Sequence, residues 1–202
     1  MNRTLYFVHY NKLNGLAEYV IYLLKNIRAV YGRIVFVSNS PLCEEQRNRI
    51  LEFSDEILVR ENRGFDFGAW KDALLKDGWE NISRYDSITL MNDSCFGPLF
   101  DIENMYLDME QKDIDFWGLT NHRNDKHGMP GTNRPIPEHI QSYFICFNRK
   151  TAESEAFKRF WRNMKNENNI EKVIQNYETR LTGILTGAGY KYSVLLDAYN
   201  FA

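Results

Sequence analysis

Short apolar runs alternate with stretches of helical periodicity through the first hundred residues. Leu5-Tyr6-Phe7-Val8, Ile34-Val35-Phe36-Val37 and Ile57-Leu58-Val59 read as buried strands. Between the first two, Leu13, Leu16, Ala17, Val20, Leu23, Leu24, Ile27 and Val30 recur at helical spacing, predicting a helix of about 17 residues that ends before Gly32. Ser40-Pro41 offers an N-cap and a proline at the first helical position, so a second helix is expected to open there and run through about Phe53. A third helix is expected from near Asp66, with Phe67, Trp70 and Leu74 on one face and Gly78 as its stop. Residues 87–91 are a fourth strand. This β-α-β-α-β order implies parallel strands joined by right-handed crossovers.

The second half is less regular. Helices are expected over 105–112, 154–164 and 170–185, and strands over 115–120, 142–147 and 190–195. Residues 121–138 carry Gly, Pro, Asn, His and Arg without periodicity, so they read as a functional lid or a disordered loop. No internal repeat or low-complexity linker interrupts the chain. The expected architecture is one α/β domain over residues 1–202, with a mostly parallel sheet flanked by helices.

Composition narrows the function classes. The net charge of −2 lacks the basic excess of a nucleic-acid footprint. Three cysteines, Cys43, Cys95 and Cys146, lie far apart with no CxxC, which fits a reducing compartment better than a disulfide framework or a zinc site. The start of the chain has no apolar signal region, and no 18-residue apolar run occurs, so a cytoplasmic protein is expected, with peripheral attachment to a membrane left open. The aromatic content, 14%, fits either a Phe/Tyr-rich core or a sugar- or base-stacking surface.

Candidate chemistry gathers where strands end, as ligand sites do in open α/β sheets. After the third strand, Asn62-Arg63-Gly64 combines an amide, a planar fork of donors for phosphate and a glycine that lets a ligand approach the backbone. The alternative is an ordinary β-to-α turn with a surface arginine. After the fourth strand, Asn92-Asp93-Ser94 offers oxygens to a hard divalent cation, with Asp66 or a ligand diphosphate completing the set. An Asx turn before Gly97-Pro98 explains the same residues. Glu178, in Tyr177-Glu178-Thr179, is either a general base facing a cleft or part of a solvated helix face. His9 ends the first strand and is placed to line the cleft. His139, Gln141 and Tyr143 either bind acceptor sugar or satisfy a strand end. His122 and His127, five apart, read as part of a mobile polar loop rather than metal ligands.

The segments VSNS (37–40), RENRGFDFGAWKDAL (60–74), YDSITLMNDSCFGPL (85–99), DFWGLT (115–120) and HIQSYF (139–144) resemble the rhamnan synthesis protein F family, bacterial proteins of cell-surface polysaccharide assembly. That family in turn resembles glycosyltransferases of the GT-A fold. The resemblance implies a nucleotide-binding half over about 1–100 and an acceptor half over about 101–202. It implies a rhamnosyl donor, dTDP-L-rhamnose, and an acceptor that is a growing polysaccharide or its lipid-linked precursor, at the inner face of the plasma membrane. By carry-over, Asn62 and Arg63 would meet the nucleotide, and His9, Gly64, Asp66, Asn92 and Ser94 are expected to join them around the donor. Asp93 would hold Mg²⁺ or Mn²⁺ and the diphosphate, and Glu178 would be the base of an inverting transfer. Trp70, Trp117, His139, Gln141 and Tyr143 would line the sugar site, under a lid formed by 121–138. The chain departs from the Asp-x-Asp pattern at Asn92 and Ser94, and from the Glu-Asp pair at Glu178. A non-catalytic module binding glycan or nucleotide is therefore the alternative. A nucleotidyltransferase is a weaker rival, since residues 9–15 lack a glycine-rich basic loop.

Overall fold

β1 (Arg3–His9) is buried along its whole length and sits in the middle of the sheet. Its alternation explains why: Leu5 and Phe7 pack with one set of helices, and Tyr6 and Val8 with another. A computed structural model describing residues 1–126 and 135–201 gives the remaining elements. They are α1 (Glu18–Ile27), β2 (Arg33–Ser38), α2 (Glu44–Leu51), β3 (Glu56–Val59), α3 (Phe65–Asp77), α4 (Trp79–Ile82), β4 (Ser87–Asn92) and α5 (Ile102–Glu110). β5 (Phe116–His122), β6 (His139–Ile140), β7 (Phe144–Asn148), α6 (Arg149–Glu153), α7 (Glu155–Asn163), α8 (Ile170–Val173), α9 (Thr179–Gly187) and β8 (Tyr192–Leu196) follow. A π-helical turn, Ile174–Glu178, joins α8 to α9.

The strands form one sheet in the order β3-β2-β1-β4-β7-β5-β6, with β8 also pairing β5. β1 to β4 are mutually parallel, as their order predicts. β7 runs antiparallel between β4 and β5, which brings the segment just before it to the carboxyl ends of its neighbours. α1 and α5 cover one face and α3, α7 and α9 the other, giving two apolar layers. No helix among the described residues is long and apolar enough to cross a membrane.

Three expectations need correcting. The first helix begins at Glu18, because Asn11 Oδ1 accepts from the Leu13 N–H at 2.8 Å and Asn14 takes φ +55°, so the chain turns before it coils. Leu13 is therefore 89% exposed rather than core. The second helix begins at Glu44: Ser40 is buried and bonds Asn11, while Gln46 reaches back to the Cys43 N–H at 2.9 Å. The expected helix over 170–185 is interrupted by the π turn. Of the proposed lid, the part over 127–134, including His127, lies outside the described residues. Asn121 and His122 belong to β5, and Asp125 bridges Ile136 across the gap.

Candidate functional site

The turn from β3 into α3 is built around two glycines. Gly64 has φ +74°, and a Cβ there would come within 2.9 Å of the Gly68 Cα. A Cβ on Gly68 would meet the Arg63 carbonyl at 2.3 Å. Phe65 follows at φ +52°, a costly conformation for a bulky residue and one that surrounding structure must enforce. The enforcement comes from Arg60. Its guanidinium donates to Asp72 Oδ2 at 2.8 Å, to Asn39 Oδ1 at 2.7 Å and to the Arg63 carbonyl at 2.6 Å. Asn39, buried at the end of β2, donates onward to the Phe65 carbonyl, and the Gly64 N–H is held by the Glu167 carbonyl at 2.8 Å. Arg63 thus has a pinned backbone and an exposed side chain, with no ion pair among the described residues.

The end of β4 is tied to the end of β1. Asp93 Oδ2 accepts from His9 Nδ1 at 2.6 Å and from the Tyr10 N–H at 3.3 Å, and the Asp93 carbonyl accepts from the Tyr19 hydroxyl. His9 is 1% exposed. Asn92 is buried. Its Nδ2 donates to Asp66 Oδ2 at 2.8 Å, and its Oδ1 accepts from the Ser94 N–H at 3.1 Å. Burial pushes the Asp66 carboxyl up to about 6; the Asn92 bond opposes this, and the charges of Asp93 and Glu178 add to it. Asp66, Asp93 and Glu178 therefore share one electrostatic neighbourhood, although they come from α3, β4 and the far half of the chain.

Glu178 sits at the last position of the π turn, a geometry that recurs at functional sites. Its Oε1 accepts from the Ser142 hydroxyl at 2.8 Å and lies 3.4 Å from the Ser142 N. Ser142 belongs to the segment 141–143 before β7, whose Tyr143 carbonyl holds the Asn92 N–H. From β5, Thr120 Oγ1 donates to Gln141 Oε1 at 2.6 Å and meets the Tyr143 hydroxyl. His139 is buried and stacks on His122, with centroids 5.3 Å apart. Burial holds its imidazole below the ordinary value.

Of the predicted site residues, His9, Asn62, Arg63, Gly64, Asp66, Asn92, Asp93 and Ser94 lie at the carboxyl ends of β1, β3 and β4, and Glu178, Gln141 and Tyr143 line the facing wall. Trp70 and Trp117 are corrections. Trp70 is 0% exposed, and its indole N–H donates to the Tyr6 carbonyl at 3.1 Å inside the α3–β1 layer. Trp117 is 4% exposed and packs on Tyr106 and Phe144. A large aromatic in a buried element fills core before it serves a ligand. Arg60, Asn39 and Ser142 went unread: Arg60 looked like a strand terminus, although it lies inside the glycine-rich segment it organises.

The donor set for the cation assigned to Asp93 is sparse. One oxygen of Asp93 is engaged by His9 and Tyr10, and Asn92 and Ser94 are neutral. Among the described residues no group of three or more His, Cys, Asp or Glu side chains is arranged to hold a metal ion. A hard divalent cation takes about six oxygens and is commonly anchored by one or two free carboxylates.

Comparison with known proteins agrees with this architecture. The chain is 31% identical over 185 residues to the uncharacterized protein y4gN of Sinorhizobium fredii, covering 90% of this chain and 45% of that protein. It is 29% identical over 147 residues to the virulence protein VirA of Vibrio anguillarum, covering 70% of this chain and 42% of that protein. The chain thus spans less than half the length of these curated relatives. A crystal structure from Desulfovibrio desulfuricans, described as a nucleotide-diphospho-sugar transferase, superposes with a TM-score of 0.53 at 16% identity, covering 97% of this chain and 80% of that one. The fold is therefore the one shared with nucleotide-diphospho-sugar transferases. The rhamnan synthesis protein F family matches residues 34–202, which include the β3–α3 turn, the end of β4 and the Glu178 wall, and the chain belongs to that family.

Proposed function

We propose that this chain is a nucleotide-sugar-dependent glycosyltransferase that extends a cell-surface polysaccharide or its lipid-linked precursor. The observation that supports the reading is that Glu178, from the far half of the chain, lies close enough to Asp66 and Asp93 to raise the Asp66 carboxyl, and is held by Ser142. In the reaction, Glu178 takes the proton of an acceptor hydroxyl as that oxygen attacks the anomeric carbon, and the glycosidic electrons leave with the diphosphate. Attack from the face opposite the leaving group inverts the anomeric centre. Ser142 orients Glu178, and Gln141, Tyr143 and His139 offer polar groups to the acceptor. Asn62, Arg63, Gly64, Asp66, Asn92 and Ser94 face the donor, and Asp93 anchors His9 beside it. The rhamnan synthesis family supports a rhamnosyl donor, dTDP-L-rhamnose, and an acceptor at the cytoplasmic face of the membrane.

The test is release of nucleoside diphosphate from dTDP-, UDP- and GDP-sugars, in the presence and absence of membranes carrying lipid-linked glycan. Membrane-dependent release that is lost in Glu178→Gln supports the reading. The neutral Asn92 and Ser94 favour a second reading, a nucleotide-binding module without turnover. Tight nucleotide binding with no release from any donor would establish it.

A further inference from the structure

Resting on the glycosyltransferase reading, the geometry points to a donor site that needs no divalent cation: we propose that the Arg63 guanidinium supplies the charge that holds the leaving diphosphate. Each acid that would anchor a cation already has one oxygen engaged. Asp93 Oδ2 lies 2.6 Å from His9 Nδ1, and Asp66 Oδ2 lies 2.8 Å from Asn92 Nδ2. The flanking positions are an amide and a hydroxyl.

The neighbouring cations differ in how free they are. Arg60 has donors committed to Asp72, Asn39 and the Arg63 carbonyl. Lys71 Nζ reaches the Met164 carbonyl and Asp72. Arg63 alone in this turn projects an exposed guanidinium with no ion pair among the described residues. Its carbonyl is fixed by Arg60 and its N–H by the Glu61 carbonyl, so the side chain starts from a rigid base. Beside it Gly64 and Gly68 carry no Cβ, which lets the turn fold tightly on itself, the space a Cβ on Gly68 would need being taken by the Arg63 carbonyl. A planar fork with parallel donors matches two phosphate oxygens at once, a geometry an ammonium lacks. Developing negative charge on the leaving diphosphate would then be met by a guanidinium already in place.

The experiment is calorimetric titration of the chain with dTDP, UDP and GDP, each in EDTA and again in Mn²⁺. At least one nucleotide is expected to bind with the same affinity in both buffers, within about threefold. Arg63→Ala is expected to weaken that binding by about 10- to 100-fold, the usual range for losing a hydrogen-bonded charge. Arg63→Lys should recover only part of the loss. Arg63 is exposed, and unchanged melting of both variants would separate binding from folding. Binding seen only with Mn²⁺, or Arg63→Ala binding like the parent, overturns the inference and leaves the glycosyltransferase reading standing. No binding of any nucleotide in either buffer overturns both.

Discussion

The two ends of the sheet use their charges differently. At the amino ends several acids have basic partners. Arg3, buried at the start of β1, lies 2.9 Å from Glu103 and 3.1 Å from Glu110, with its guanidinium over the Tyr106 ring. Arg33 bonds Asp77 and Glu56 at 2.8 Å, and Lys150 holds Asp115 at 2.8 Å. At the carboxyl ends Asp66 has only the Asn92 amide, Glu178 only Ser142, and Arg63 no ionic partner among the described residues. Paired charges that close a fold need no further explanation. Crowded carboxylates facing neutral partners cost stability, and such arrangements mark functional sites. A cavity of about 530 Å³ lies at the amino ends, lined by Ser87, Glu110, Asp115, Cys146 and Asn148, away from the convergent acids.

The sharpest break of this comparison is Glu178→Gln. Loss of a positioned base should lower transfer by about 10²- to 10⁴-fold. Melting temperature should stay near that of the parent, since the Ser142 hydroxyl can still donate to the amide oxygen. Transfer within tenfold of the parent would remove Glu178 from the mechanism.

Arg3→Met tests the other end. It leaves Glu103 and Glu110 without their cation and should cost about 3 kcal/mol in a urea titration. Nucleotide affinity should not change. A variant as stable as the parent would show that the amino-end pairs do not hold the fold.

Gly64→Ala should cost about 2 kcal/mol, because φ +74° is unfavourable for a side chain and its Cβ would press on Gly68. Unlike Arg3→Met, it should also weaken nucleotide binding, measured in the same titrations. If stability falls and binding does not, the turn is structural only.

What the sequence made legible follows the same division. The parallel β1–β4 core was readable because its runs are short, apolar and separated by one helical period each. The ends of β3 and β4 were readable because Asn62-Arg63-Gly64 and Asn92-Asp93-Ser94 interrupt those runs. Trp70 and Trp117 were misplaced because an aromatic beside a motif looks the same whether it faces core or ligand; only burial separates the two. The break at the π turn was invisible because a single π turn differs from the flanking helix in its hydrogen bonding and not in residue type. Arg60 and Ser142 act through partners 21 and 36 residues away, and no local pattern encodes such pairings.

The last prediction isolates the strain of the carboxyl end. In the folded chain burial and the charges of Asp93 and Glu178 keep the Asp66 proton on until about pH 6, whereas an ordinary aspartate releases it near 3.8. Between those values the native state binds more protons than the unfolded one, so this group makes stability fall as pH rises from about 4 to about 6. Above that window the cost is fully present. Asp66→Asn keeps an oxygen for the Asn92 amide and removes the charge. The variant should therefore gain on the parent progressively from about pH 4 to pH 6 and hold that gain at pH 7, in urea denaturation followed at each pH. Parallel stability profiles for the two proteins would mean that neither burial nor the neighbouring carboxylates hold the Asp66 proton on, and the contrast between the two ends of the sheet would lose its energetic meaning.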